Sequence, residues 1–262
     1  MRKMRLLIVV GLLLSILPIG CKLSEEDKDI VVKIESEFQL GMNEKLGQQR
    51  DFQLTFQTIQ DQSCTTNSIA YFSNRSGRNV YLSLNEIVET PNCLTGQGPA
   101  TDTASYSNIP NGAYNLELVL KNTISSKGTL TVSNEKFTLD ITEGHGFQLG
   151  QATLMRVPAT AIWGYVAYKD AQYLSGADQF LEQLNGQTES LKLNRGEYGH
   201  FRIGDGDRLS LNKAPDYNNF RTFYRTSKGQ LSALEALLEG FRSQYPDGQM
   251  EFRIFTGQGE TL

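Results

Sequence analysis

From Ile34 to Leu149, apolar and polar residues alternate in short runs broken by turn formers. A period of two predicts β-strands with one buried face. Ile34, Phe38 and Leu40 alternate with Glu35, Glu37 and Gln39, and Phe52, Leu54 and Phe56 alternate with Gln53, Thr55 and Gln57. Further strands are expected at Ile69–Phe72, Val80–Leu84, Tyr114–Leu120, Leu130–Val132 and Phe137–Ile141, with Phe147–Leu149 as another. Between Glu89 and Asn108 the period is lost among Pro91, Gly96, Gly98 and Pro99, which predicts a long loop. About seven to nine short strands with no helical stripe between them suit two sheets packed face to face.

Near Val157-Pro158 the pattern changes to strands mixed with helices. Ala161–Tyr168 is apolar at both alternating sets of positions, as in a central strand covered on both faces. Ser175 is placed to cap a helix through Ala177, Phe180, Leu181 and Leu184, with Asn185-Gly186 as its stop. Leu191–Leu193 and Tyr198–Ile203 read as a hairpin, with Leu209–Leu211 beyond it and another strand at Phe220–Thr226. Leu231, Leu234, Leu237, Leu238 and Phe241 share one face of a helix predicted over Leu231–Tyr245. Met250, Phe252 and Ile254 then alternate with Glu251 and Arg253 in a last strand. The order approximates β-α-β-β-(β)-α-β, close to the split βαβ arrangement of ferredoxin-like folds. The expected class is mainly β plus α+β, with a sandwich over residues 30–156 and an α+β domain over residues 159–262.

The N-terminus sets the expected address. Arg2, Lys3 and Arg5 precede the apolar run Leu6–Ile19, and Gly20 leads into Cys21. This has the form of a secretory signal over residues 1–20. The apolar run falls short of the ~20 residues that span a bilayer. Leu17-Pro18-Ile19-Gly20-Cys21 resembles the lipobox of bacterial lipoproteins, which implies a lipid on Cys21 and an acidic tether over residues 21–29. Lys22 stands where an Asp would signal inner-membrane retention in such proteins, so the resemblance points to the outer membrane. Further on, Ile109-Pro110-Asn111-Gly112-Ala113-Tyr114 resembles the turn leading into a strand of immunoglobulin-like sandwiches. There the tyrosine bonds back to the preceding loop, as in a tyrosine corner.

Charge and chemistry narrow the function classes. The net charge of −4 and pI near 5.4 lack the basic excess of a nucleic-acid footprint. With Cys21 assigned to lipid, Cys64 and Cys93 remain, and in an oxidising compartment they are expected to pair. His145 and His200 fall in different predicted domains, so no Ser-His or Cys-His signature forms, and both read as turn or surface residues. Asp205-Gly206-Asp207 lacks the further oxygen ligands of a calcium loop and reads as a turn. No metal or cofactor site is expected. In Tyr217–Lys228, Arg221, Phe223, Tyr224 and Arg225 are candidate binding residues, since aromatics interleaved with Arg stack on sugars or pair with anions. The expectation is a non-enzymatic, lipid-anchored envelope protein that contacts membrane through its lipid, with an envelope protein or glycan as partner. The alternative is a glycan or peptidoglycan hydrolase using paired carboxylates.

Overall fold

A computed structural model of the chain describes residues 35–262 apart from 92, 94, 143, 229 and 230; the signal segment, the tether and Cys21 lie outside the described residues. In chain order the first strands are β1 (Phe38–Lys45), β2 (Asp51–Thr58), β3 (Gln62–Cys64), β4 (Ser68–Ser76), β5 (Asn79–Val88) and β6 (Thr95–Gly98). They are followed by β7 (Thr101–Ser107), β8 (Gly112–Leu120), β9 (Ile124–Val132), β10 (Lys136–Ile141), β11 (Phe147–Leu149) and β12 (Thr153–Met155). One sheet has the order β11-β1-β2-β7 and the other β12-β10-β9-β8-β5-β4. The inward residues of both, among them Leu40, Phe52, Leu54 and Phe56 against Leu82, Leu118, Leu130 and Phe137, merge into one apolar core. This is the sandwich, each sheet burying the apolar face of the other.

Tyr114 sits at the expected corner, its Oη donating to the Pro110 carbonyl at 2.6 Å. The turn needs Gly112, whose φ is 138° and where a Cβ would overlap the Arg78 guanidinium that lies over the Tyr114 ring. The expected loop over 89–108 is corrected: it contains β6 and β7. Strand β7 pairs with β2 along its whole length and buries Ala104 and Tyr106. A strand whose inward side chains include an alanine carries little apolar signal. Strand β6 forms a two-stranded ribbon with β3, and a disulfide joins Cys64 at the end of β3 to Cys93, ahead of β6, with Cα atoms 5.5 Å apart.

The second half runs β13 (Ala161–Tyr168), α1 (Leu174–Gln187), β14 (Thr188–Ser190), β15 (Gly196–Glu197), β16 (Phe201–Ile203) and β17 (Leu209–Leu211). It ends with β18 (Asn219–Ser227), α2 (Leu231–Arg242) and β19 (Met250–Thr256). The sheet order β14-β18-β13-β19 is antiparallel throughout. Setting β15–β17 aside, this is the second, third, first and fourth strand of a split βαβ unit. Helices α1 and α2 pack Phe180, Leu184, Leu234, Leu238 and Phe241 against Ile162, Val166, Phe223 and Phe252.

Strand β13 is buried along its whole length. Its other face is covered at Trp163 by Tyr198, Phe201, Ile203 and Leu209 of the inserted region. Two local expectations are corrected. Ser175 does not cap α1; the helix is entered from a 3-10 turn, Ala171–Tyr173, without a side-chain cap. Asn185-Gly186 does not stop it either, because Leu184 is buried and the helix continues to Gln187.

Polar contacts link the sandwich to the second half. The Glu44 carboxylate, 1% exposed, meets Arg156 at 2.9 Å and Arg50 at 3.4 Å. Arg50 also donates to the carbonyls of Val157 and Gly257, and the His200 ring lies 2.8 Å from the Glu44 carbonyl. Met155 and Val157 join the apolar cluster around Trp163, with Leu46 packed against it.

Candidate ligand site

Beside the small β15-β16-β17 sheet, the face of the larger sheet turned away from the helices forms the floor of a cleft of about 590 Å³. Strand alternation places Trp163 and Tyr165 of β13 beside Phe255 and Arg253 of β19, with Glu251 next along. The turn Gly199-His200 and the segment Leu211–Asp216 form the walls. Trp163 lies 5.9 Å from Phe255 and 5.0 Å from Phe201, centroid to centroid, so an aromatic stack supports the floor.

The polar groups at the rim are coupled. Tyr165 Oη and Arg253 Nε both donate to Glu251 Oε1, at 3.0 and 2.7 Å. Burial, and then the bond to Glu251, push the Tyr165 phenol up to about 12. Tyr217 is raised by burial and then by the charges of Glu251 and Asp216. Asp216 is a second carboxylate lining this cleft. The arrangement offers an apolar floor, a fixed acceptor and a guanidinium.

A second cleft, of about 540 Å³, holds Phe223, Tyr224 and Arg225, three of the four binding candidates, together with Arg208 and Ser190. Arg221 is not among its walls and instead pairs with Asp178 of α1 at 2.6 Å. The strand period separates the candidates. Arg221, Phe223 and Arg225 are paired with Val166, Gly164 and Ile162 on the helix-covered side, whereas Tyr224 is paired with Trp163 on the other. Phe223 is 7% exposed and packs over Gly164, where a Cβ would meet its ring. Phe223 is therefore core.

His145 is exposed, its backbone tied to Ser126. His200 is half-buried and sits 5.9 Å from Trp163, which is more than a turn residue needs. Sequence reading passed over Tyr165, Glu251 and Arg253 as site residues. The available signal was parity: opposite charges two residues apart on a strand whose neighbour is wholly apolar share one face and can pair. No family model, curated protein or solved structure matches this chain.

Proposed function

We propose that this chain is a non-enzymatic, lipid-anchored protein of the bacterial cell envelope, held at the outer membrane through Cys21, whose second half binds an envelope glycan in the cleft over Trp163. The address rests on the lipobox resemblance and Lys22. Binding rests on one observation: an aromatic floor bordered by the pre-set Tyr165–Glu251–Arg253 group. Concave sites of this kind use an apolar surface for affinity and a few fixed polar groups for orientation. A sugar ring has the matching form, an apolar face edged by hydroxyls.

The alternative is hydrolysis. It is favoured by the presence of Glu251 and Asp216 in one cleft. Against it, Glu251 Oε1 is already shared by two donors of the protein, which suits a fixed acceptor better than a proton shuttle. Trp163 is the only tryptophan of the chain, so its emission reports on the cleft. Titration with soluble peptidoglycan fragments should change that emission saturably, with Arg253→Ala weakening binding and no new reducing ends appearing. Release of reducing ends that Glu251→Gln and Asp216→Asn abolish would establish the hydrolase instead. Palmitate labelling that persists in Cys21→Ser at the wild-type level would remove the anchor.

A further inference from the structure

Among the described residues, guanidinium groups are almost all committed. Arg50, Arg156, Arg195, Arg202, Arg221 and Arg253 meet carboxylates. Arg75, Arg78 and Arg242 donate to backbone carbonyls. Among the described arginines this leaves Arg208 and Arg225, whose side chains make no hydrogen bond or ion pair with the described protein, and both line the cleft of about 540 Å³. Three further polar side chains there, Asn185, Ser190 and Tyr224, likewise make no side-chain hydrogen bond with the described protein.

Several elements bring these groups together. Ser190 of β14 is paired directly with Arg225 of β18, and β14 ends there, leaving Thr222–Tyr224 of β18 without a strand neighbour on that side. Arg208 follows the 3-10 turn Asp205–Asp207 that leads into β17, and Asn185 comes from α1. Asp207 also lines the cleft, and its charge, after burial, raises the Tyr224 phenol. The lining therefore carries two positive charges against one negative.

We propose that this cleft binds a phosphoryl group, held between Arg208 and Arg225 with the Ser190 and Tyr224 hydroxyls and the Asn185 amide as neutral donors. Each guanidinium offers a planar fork of N–H donors matched to a pair of anionic oxygens. Two forks and three neutral donors exceed what the two oxygens of one carboxylate accept, whereas a terminal phosphoryl presents three oxygens. The cleft is larger than a single phosphate, so the phosphoryl is the end of a bigger molecule. Such an end occurs on soluble phosphate monoesters and on lipids whose headgroup is itself a phosphate monoester. The site is separate from the cleft over Trp163 and does not depend on the glycan reading.

The test is titration of the purified protein with inorganic phosphate, glycerol 3-phosphate and acetate at low ionic strength, by calorimetry. Phosphate and its monoester should bind saturably and acetate far more weakly. Arg208→Lys and Arg225→Lys keep the charge but lose the fork, and each should weaken binding about tenfold. Arg221→Lys, whose group is occupied by Asp178, should bind as wild type, and Asp207→Asn should tighten binding roughly two- to fivefold. Far-UV circular dichroism checks that each variant is folded. Competition by vesicles carrying phosphatidic acid as strong as by glycerol 3-phosphate identifies a lipid headgroup as the source, and competition confined to the free monoester identifies a soluble ligand. Acetate binding as tightly as phosphate, or folded Arg208→Lys and Arg225→Lys proteins that bind phosphate like wild type, would overturn the proposal. Glu251→Gln should leave phosphate affinity unchanged, which separates this site from the other cleft.

Discussion

Glu44→Gln removes one charge and almost no volume from the point where the two halves meet. The carboxylate is 1% exposed and the side chains of Arg50 and Arg156 are 20% and 21% exposed. Losing one partner of a buried ion pair costs about 3–5 kcal/mol, because the remaining charge is left uncompensated. Here both guanidiniums keep backbone acceptors, Arg50 at Val157 and Gly257 and Arg156 at Ser133. They also retain some contact with water, so the loss should fall near the lower end, about 3 kcal/mol. At about 2–4 °C per kcal/mol for a chain of this size, Tm should drop by roughly 6–12 °C. The assay is urea unfolding followed by far-UV circular dichroism and by Trp163 emission. In a double-mutant cycle, the coupling of Glu44 to Arg156 should exceed that to Arg50, since the contacts are 2.9 and 3.4 Å. A loss below about 1 kcal/mol would place the pair in the class of surface ion pairs and refute the reasoning.

Three other outcomes follow from the packing. Leu237→Asp puts a charge at a position of α2 that is 7% exposed and should unfold the helical layer; if the two halves have independent cores, the sandwich and the Cys64–Cys93 bridge persist, and joint loss in circular dichroism would show one composite core. Reduction of Cys64–Cys93, which closes a separation of 29 residues, should lower stability by roughly 3 to 4 kcal/mol in denaturant titrations if the chain-entropy account holds. Burial raises Tyr165 and Tyr198 to about 12 from 10.0, so the folded state holds those protons more tightly; the associated stability is complete below pH 10 and is lost as pH rises towards 12, seen as a late, cooperative absorbance change at 295 nm.

The alternating strands were legible because their burial follows the simple parity of Phe52, Leu54 and Phe56. Strand β13 was legible for the opposite reason, as every residue of Ala161–Tyr168 is buried. The small strand β7 escaped notice because its core contact is made partly by Ala104, whose methyl group hardly changes the hydropathy of Thr101–Ser107. Capping chemistry misplaced both ends of α1, where the flanking 3-10 turn and the burial of Leu184 override Ser175 and Gly186. For the candidate sites the limit is different in kind. Phe223, Tyr224 and Arg225 were flagged by composition, yet their roles diverge through strand parity and through a partner, Arg208, that is remote in sequence. Whether a guanidinium is committed depends on its partners in space, as Arg221 and Asp178 show.

Both clefts owe their existence to the inserted β15–β17. A split βαβ unit covers one sheet face with helices and leaves the other open, and β13, being apolar on both faces, cannot present Trp163 to water without cost. The insertion resolves this only partly. Tyr198 and Phe201 stack at 4.8 Å and Phe201 lies 5.0 Å from Trp163, while Thr222 Oγ1 donates to the Leu209 carbonyl and ties the small sheet to β18. Residues of the insertion wall both clefts, Gly199, His200 and Leu211 the first and Leu191, Arg208 and Leu209 the second. The first cleft takes Glu251 and Arg253 from β19, and the second takes Tyr224 from the face of β18 turned away from the helices and Arg225 from its helix-covered face, at the end of β14. The same insertion that completes the core thus fixes where polar residues can gather over an apolar floor, and its own Arg208 completes the second cleft.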